Sequence, residues 1–113
     1  MNPKTYPAQI NRVVDGDTLE VELDLFPGIE YKITVRLLGV DTHETYGTKH
    51  ESEEYQCGIK EKQFVEQWIE NTDEVRVKVH GQGKYGRYLA EIMDGEDSVL
   101  NDQLIDRFDG VAY

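Results

Sequence analysis

Tyr31, Ile33, Val35 and Leu37 alternate with Lys32, Thr34 and Arg36, the two-residue period of a strand with one buried face. The run predicts a strand over about 29–38, with Arg36 on the side opposite the apolar set. Shorter stretches predict further strands: residues 8–14; Leu19, Val21 and Leu23 alternating with Thr18, Glu20 and Glu22; Val75, Val77 and Val79 alternating with Arg76, Lys78 and His80; and about 87–94. Asp15-Gly16 reads as a hairpin turn in which Gly16 can take a positive φ, and Phe26-Pro27-Gly28 as a second turn. Between the third and fourth strands the period becomes helical. Cys57, Phe64, Val65, Trp68 and Ile69 share one face, while Lys60, Lys62, Glu66 and Glu70 lie off it. A helix over about 57–71 is expected against the sheet, with Trp68 in the core and Cys57 as inert packing. After the turn at 95–97, Ser98 is expected to cap a short helix carrying Leu100, Leu104 and Ile105 on one face.

This order predicts a mainly β, α+β fold: a five-stranded OB-fold barrel with a helix between strands 3 and 4 and a short helix after strand 5. Residues 1–7, which hold Pro3 and Pro7, are expected to form a flexible arm, and 8–113 a single domain. The polar stretch 42–56 is expected to be an exposed, mobile loop.

Composition narrows the function classes. At 113 residues the chain suffices for one modest core. One cysteine excludes an internal disulfide and a thiolate zinc cluster, and His43, His50 and His80 lack metal-ligand spacing. No apolar run reaches transmembrane length and no signal peptide opens the chain, so a membrane partner is not expected. That pattern fits a cytoplasmic protein as written or a secreted domain with its leader trimmed. Monomer is the default. The formal net charge of -11 argues against nucleic acid, whose binding normally shows as a basic excess. The acid is concentrated after Thr42 and near the C-terminus, however, so a local positive cleft remains compatible with it.

Polar groups gather at strand ends. Asp17 opens strand 2; Arg36, Asp41, Thr42 and Glu44 lie at or just past the end of strand 3; Arg87 opens strand 5 after a glycine-rich turn with Lys84 and Tyr85. Such a set can serve phosphodiester hydrolysis. Asp17, Asp41 and the carbonyl of Thr42 are hard oxygen donors suited to Ca²⁺ or Mg²⁺. Glu44 is a free carboxylate for activating water. Arg36 and Arg87 can clamp a phosphate bidentately, as lysine cannot.

Three motifs then stand in order: Val14-Asp15-Gly16-Asp17-Thr18; Arg36-Leu37-Leu38-Gly39-Val40-Asp41-Thr42-x-Glu44; and Lys84-Tyr85-Gly86-Arg87-x-Leu89-Ala90. With Val99-Leu100-Asn101-x-x-Leu104 and the closing Gly110-Val111-Ala112-Tyr113, they make nearly the whole chain resemble the staphylococcal nuclease (thermonuclease) family. The resemblance implies an OB-type barrel with helices and Ca²⁺-dependent endonuclease cleavage of DNA and RNA leaving 3′-phosphates. It implies Asp17, Asp41 and Thr42 as metal ligands and Arg36, Glu44 and Arg87 as the catalytic set, with Glu44 the general base. It also implies that Lys84, Tyr85 and Tyr113 bind substrate. His43 stands where the family usually has proline, Gly83 where an aspartate often precedes the turn, and the chain stops where many relatives continue into a third helix. The competing expectation is a catalytically weak or inactive OB-fold module that binds nucleic acid or a protein partner. The survival of the acid, base and arginine positions favours the enzyme.

Overall fold

A computed structural model describes residues 3–42, 53–83, 86–96 and 98–108, with the side chains of 53–55 excepted. The strands are β1 (Lys4–Asp15), β2 (Thr18–Phe26), β3 (Ile29–Leu37), β4 (Val75–Gln82) and β5 (Tyr88–Asp94); α1 (Glu53–Glu70) lies between β3 and β4, and α2 (Leu100–Arg107) follows β5. The sheet closes as a barrel in the order β1-β2-β3-β5-β4, with β4 returning to β1. Its pairings are antiparallel except β3 with β5. A closed five-stranded barrel with this helix placement is the OB-type α+β architecture expected from the element order.

Alternation sets the inside. Leu19, Val21, Ile33, Val35, Leu37, Val77, Ala90 and Ile92 point into the barrel and are buried. Each large apolar side chain so buried contributes about 1.5–3 kcal/mol. Leu100 and Leu104 of α2 and Val65 of α1 join the same core, and Phe64 meets Phe108 edge-on at 5.7 Å where the helices touch.

Local expectations change in five places. α1 begins at Glu53, so residues 53–56, expected within the polar loop, belong to the helix. β1 begins at Lys4, because Lys4–Ala8 pair antiparallel with Val75–Val79; residues 4–7, expected within the arm, therefore supply the seam that closes the barrel. Cys57 is exposed, and Gly58 and Glu61 take the buried turns of α1 ahead of Val65, so the apolar stripe begins later than Cys57. Ser98 does not cap α2: the cap position is Val99, with no side-chain cap bond, and the Ser98 hydroxyl accepts from the Gln103 side-chain amide instead. Gly16 is not among the positive-φ glycines, which are Gly28, Gly39 and Gly86 among the described residues. A Cβ on Gly16 would fall 2.9 Å from Thr42 Cγ2 and 3.1 Å from Glu61 Cβ. Glycine is required there by close approach, and the hairpin turns without a left-handed residue at that position.

Candidate active site

Two chain reversals build the site. The first is the tight β1–β2 turn, where Asp15 pairs with Thr18 and leaves Gly16 and Asp17 at the tip. The second follows β3. Gly39, at φ +78, turns the chain so that Val40 N–H donates to the Leu37 carbonyl and the Val40 side chain re-enters the core. A residue with a Cβ resists that φ, which is why the stop after Leu37-Leu38 carries glycine. With Val40 anchored, Asp41 and Thr42 lie beside the first turn.

Asp17 is the hub of the arrangement. It is 7% exposed. Its Oδ1 accepts from the Thr18 hydroxyl at 2.9 Å, and its Oδ2 accepts from the Thr42 backbone N–H at 3.1 Å. Its carbonyl accepts from Leu37 N–H at 2.8 Å, continuing the β2–β3 ladder in which Thr18 faces Arg36. Arg36 Nη2 lies 3.7 Å from Asp17 Oδ2 and donates to Asp41 Oδ1 at 3.2 Å. One guanidinium thus spans both carboxylates, with Asp41 solvent-exposed and Asp17 not. Ion pairing at a half-buried arginine is screened less than at the surface.

Arg87 directly precedes β5. Its carbonyl accepts from Gly83 N–H at 2.6 Å, closing the turn between β4 and β5, and Gly86 precedes it at φ +74. β5 then runs parallel to β3 with Arg36 opposite Leu89, so Arg87 stands just before the segment that flanks Arg36. Gly83, expected to loosen the approach to Arg87, is itself bonded to the Arg87 backbone.

Among the sequence-predicted residues, Asp17, Arg36, Asp41 and Thr42 come together, and Arg87 opens the neighbouring strand. Glu44, Lys84, Tyr85 and Tyr113 lie outside the described residues, as does His43. Two residues that support the site carry no role in the sequence reading. Glu61 of α1 is 2% exposed and packs over Gly16; its spacing four residues before Val65 was the available signal, overridden by its charge. Asn101 of α2 is 2% exposed; its Nδ2 donates to the carbonyls of Leu38 at 2.9 Å and Ala90 at 3.1 Å, and its Oδ1 accepts from Ile92 N–H at 3.2 Å. Asn101 therefore pins the end of β3, from which Asp41 hangs, to β5. Only the long-range fold could reveal that role.

The donor set has a chemical preference. Among the described residues, no three His, Cys, Asp or Glu side chains form a metal-holding group. Two carboxylates converge, and beside them the buried Thr42 hydroxyl has no hydrogen-bond partner among the described residues. All of these donors are oxygen, which suits a hard cation that keeps much of its water and suits no thiol-seeking metal.

Comparison with known proteins adds the lineage. The chain is 30% identical over 105 residues to endonuclease YhcR of Bacillus subtilis (strain 168), covering 88% of this chain and 8% of that protein. It is 33% identical over 114 residues to the uncharacterized protein MJ1439 of Methanocaldococcus jannaschii, covering 85% of this chain and 53% of that one. It thus spans a small part of the first relative and about half of the second. Residues 34–113, a span that takes in the end of β3 and each expected site position except Asp17, match the Staphylococcal nuclease homologue family, and the chain belongs to that family.

Proposed function

We propose that this chain is a calcium-dependent nuclease that hydrolyses phosphodiester bonds of DNA and RNA and leaves 3′-phosphate products. The observation that carries the reading is the Arg36 guanidinium set against Asp17 and Asp41 at 3.7 and 3.2 Å, on a strand whose parallel neighbour β5 begins directly after Arg87. Family membership and the endonuclease named among its relatives support it.

Asp17, Asp41 and Thr42 would hold the cation. When bound, Ca²⁺ supplies positive charge that offsets charge building on the phosphate oxygens. Arg36 releases Asp41 and presents its fork to the phosphate; a planar guanidinium fits two phosphate oxygens at once. Arg87 binds the same phosphate from the β5 side and stabilises the extra charge of the pentavalent state. Glu44 takes the proton of the attacking water. Lys84, Tyr85 and Tyr113 hold the flanking nucleotide. Monomeric action is expected, since every group in this scheme comes from one chain.

Digestion of DNA and of RNA in Ca²⁺ against a chelator tests the reading, with Arg87→Ala and Glu44→Ala as variants. Cleavage that needs Ca²⁺ and is lost in both variants is expected. Undiminished cleavage by both would sink the site, and inert parent protein would favour a non-catalytic binding module.

A further inference from the structure

The end of the β2–β3 hairpin leaves a strand edge open. On one side β3 pairs with β2 from Ile29 to Arg36, but on the other only Val35, Arg36 and Leu37 meet β5. Among the described residues, 29–34 therefore have no strand beside them on that side. Alternation fixes which backbone groups point there. Leu37 N–H donates to the Asp17 carbonyl on the β2 side, and Leu38 N–H to the Ala90 carbonyl on the β5 side. The N–H and C=O groups of Glu30, Lys32 and Thr34 therefore face the open edge. Residues 29–32 are all exposed. Leu25, Phe26, Ile29 and Tyr31 are four of the five exposed large apolar side chains among the described residues, so the apolar exposure is concentrated at this hairpin. An open edge flanked by apolar side chains invites a further strand.

The exposed segment is complementary to itself. Laid antiparallel on a second copy about Tyr31, Ile29-Glu30-Tyr31-Lys32-Ile33 sets Ile29 against Ile33, Tyr31 against Tyr31, and Glu30 against Lys32 on both sides of the centre. Ile29, Tyr31 and Ile33 lie on one face of the strand, Glu30 and Lys32 on the other. Apolar side chains thus meet on the first face and opposite charges on the second. Glu30 and Lys32 are also residues whose backbone groups face the edge, so each Glu30–Lys32 pair exchanges two hydrogen bonds. Centred on Glu30 or on Lys32 instead, the pairing would set like charges together. The charge match also relieves a conflict within the chain. Across the hairpin Glu30 faces Asp24, while Lys32 faces Glu22. Two carboxylates directly opposite on a sheet are unfavourable, and Lys32 of the second copy would bring a cation beside Glu30.

We propose that the open edge of β3 joins two copies of this chain, antiparallel about Tyr31, in a closed two-fold dimer. The same patch serves both copies, so pairing stops at two. The contact is short, and the dimer is weak and concentration-dependent. Each active site still comes from one chain, and the dimer does not rest on the nuclease reading. The test is sedimentation velocity of the full chain over about 2–200 μM, where the parent should pass from monomer to dimer. Lys32→Glu sets carboxylates against one another at both charge pairs, and Glu30→Lys sets ammonium groups together. Each should weaken the dimer about tenfold or more. An equal mixture of the two variants restores opposite charges at both pairs and should associate as the parent does, a rescue that an unfolded variant cannot give. The doubly swapped chain, Glu30→Lys with Lys32→Glu, should dimerise by itself. A parent that stays monomeric throughout, single variants that associate as the parent does, or failure of both the mixture and the doubly swapped chain to associate would overturn the interface.

Discussion

The backbone N–H of Thr42 donates to Asp17 Oδ2 at 3.1 Å, a contact 25 residues apart in sequence that fastens the β1–β2 turn to the end of β3. Asp17 is thus a structural clamp as well as an oxygen donor. Asp17→Ala strips the acceptors from the Thr42 amide and the Thr18 hydroxyl and should cost about 1–3 kcal/mol. Asp17→Asn keeps one carbonyl oxygen and should cost less. Urea denaturation of the two variants without divalent ion gives the comparison; equal costs would show that the clamp contributes little.

Two glycines near the site should fail for different reasons. Gly16→Ala pushes a methyl into Thr42 and Glu61 and should cost about 1–3 kcal/mol by overpacking. Gly39→Ala meets open space but a φ of +78, and should cost about 1–2 kcal/mol through the backbone. Asparagine tolerates that left-handed conformation, so Gly39→Asn should recover much of the loss and Gly16→Asn none. Denaturation midpoints of the four variants decide it.

Asn101 should behave as a clamp between β3 and β5. Asn101→Leu leaves the Leu38 carbonyl and the Ile92 N–H without the contacts Asn101 makes, and each buried group stranded in this way costs about 1–3 kcal/mol. Native-state hydrogen exchange should show the Ile92 amide losing protection ahead of Val21 and Val77 in the barrel. Uniform loss across the barrel would mean that the effect is global.

Ca²⁺ should raise the melting temperature of the chain, because an ion that binds the native state alone stabilises it by about 2.7 kcal/mol at a hundred times its Kd. Chelator should reverse the shift, and Asp17→Ala and Asp41→Ala should each abolish it. A shift that persists in both would place the ion elsewhere.

The Glu22 side chain, hydrogen-bonded to Glu30 and charged beside it, holds the Glu30 carboxyl above the usual range. For a group whose folded pKa is raised, the stability it contributes is present below its unfolded pKa and lost as pH rises through the folded pKa. Stability should therefore decline slightly through the mildly acidic range at this hairpin, and Glu22→Gln should remove that part of the decline. Carboxyl NMR titration of Glu30 in the two proteins reads the effect directly.

Alternation and turn chemistry alone specify much of this molecule. The strand positions of Leu19, Val21, Ile33, Val35 and Val77 follow from a two-residue period, and the outward placement of Arg36 follows with them, because backbone pleating leaves a side chain no other choice. The motifs around Asp17, Asp41 and Arg87 also point to phosphodiester chemistry by residue type. Tertiary structure decided the rest. Lys4–Pro7 lack strand-like patterning yet become strand, since β4 offers them an unpaired edge that the closed barrel must cover. Gly16 reads as a turn glycine from its neighbours, but α1 and Thr42 press on it from 25 or more residues away. Glu61 and Asn101 are polar yet buried, because one packs over that turn and the other satisfies backbone groups of β3 and β5. Local period reports which face a side chain takes, whereas which distant segment lies on that face depends on how the barrel closes.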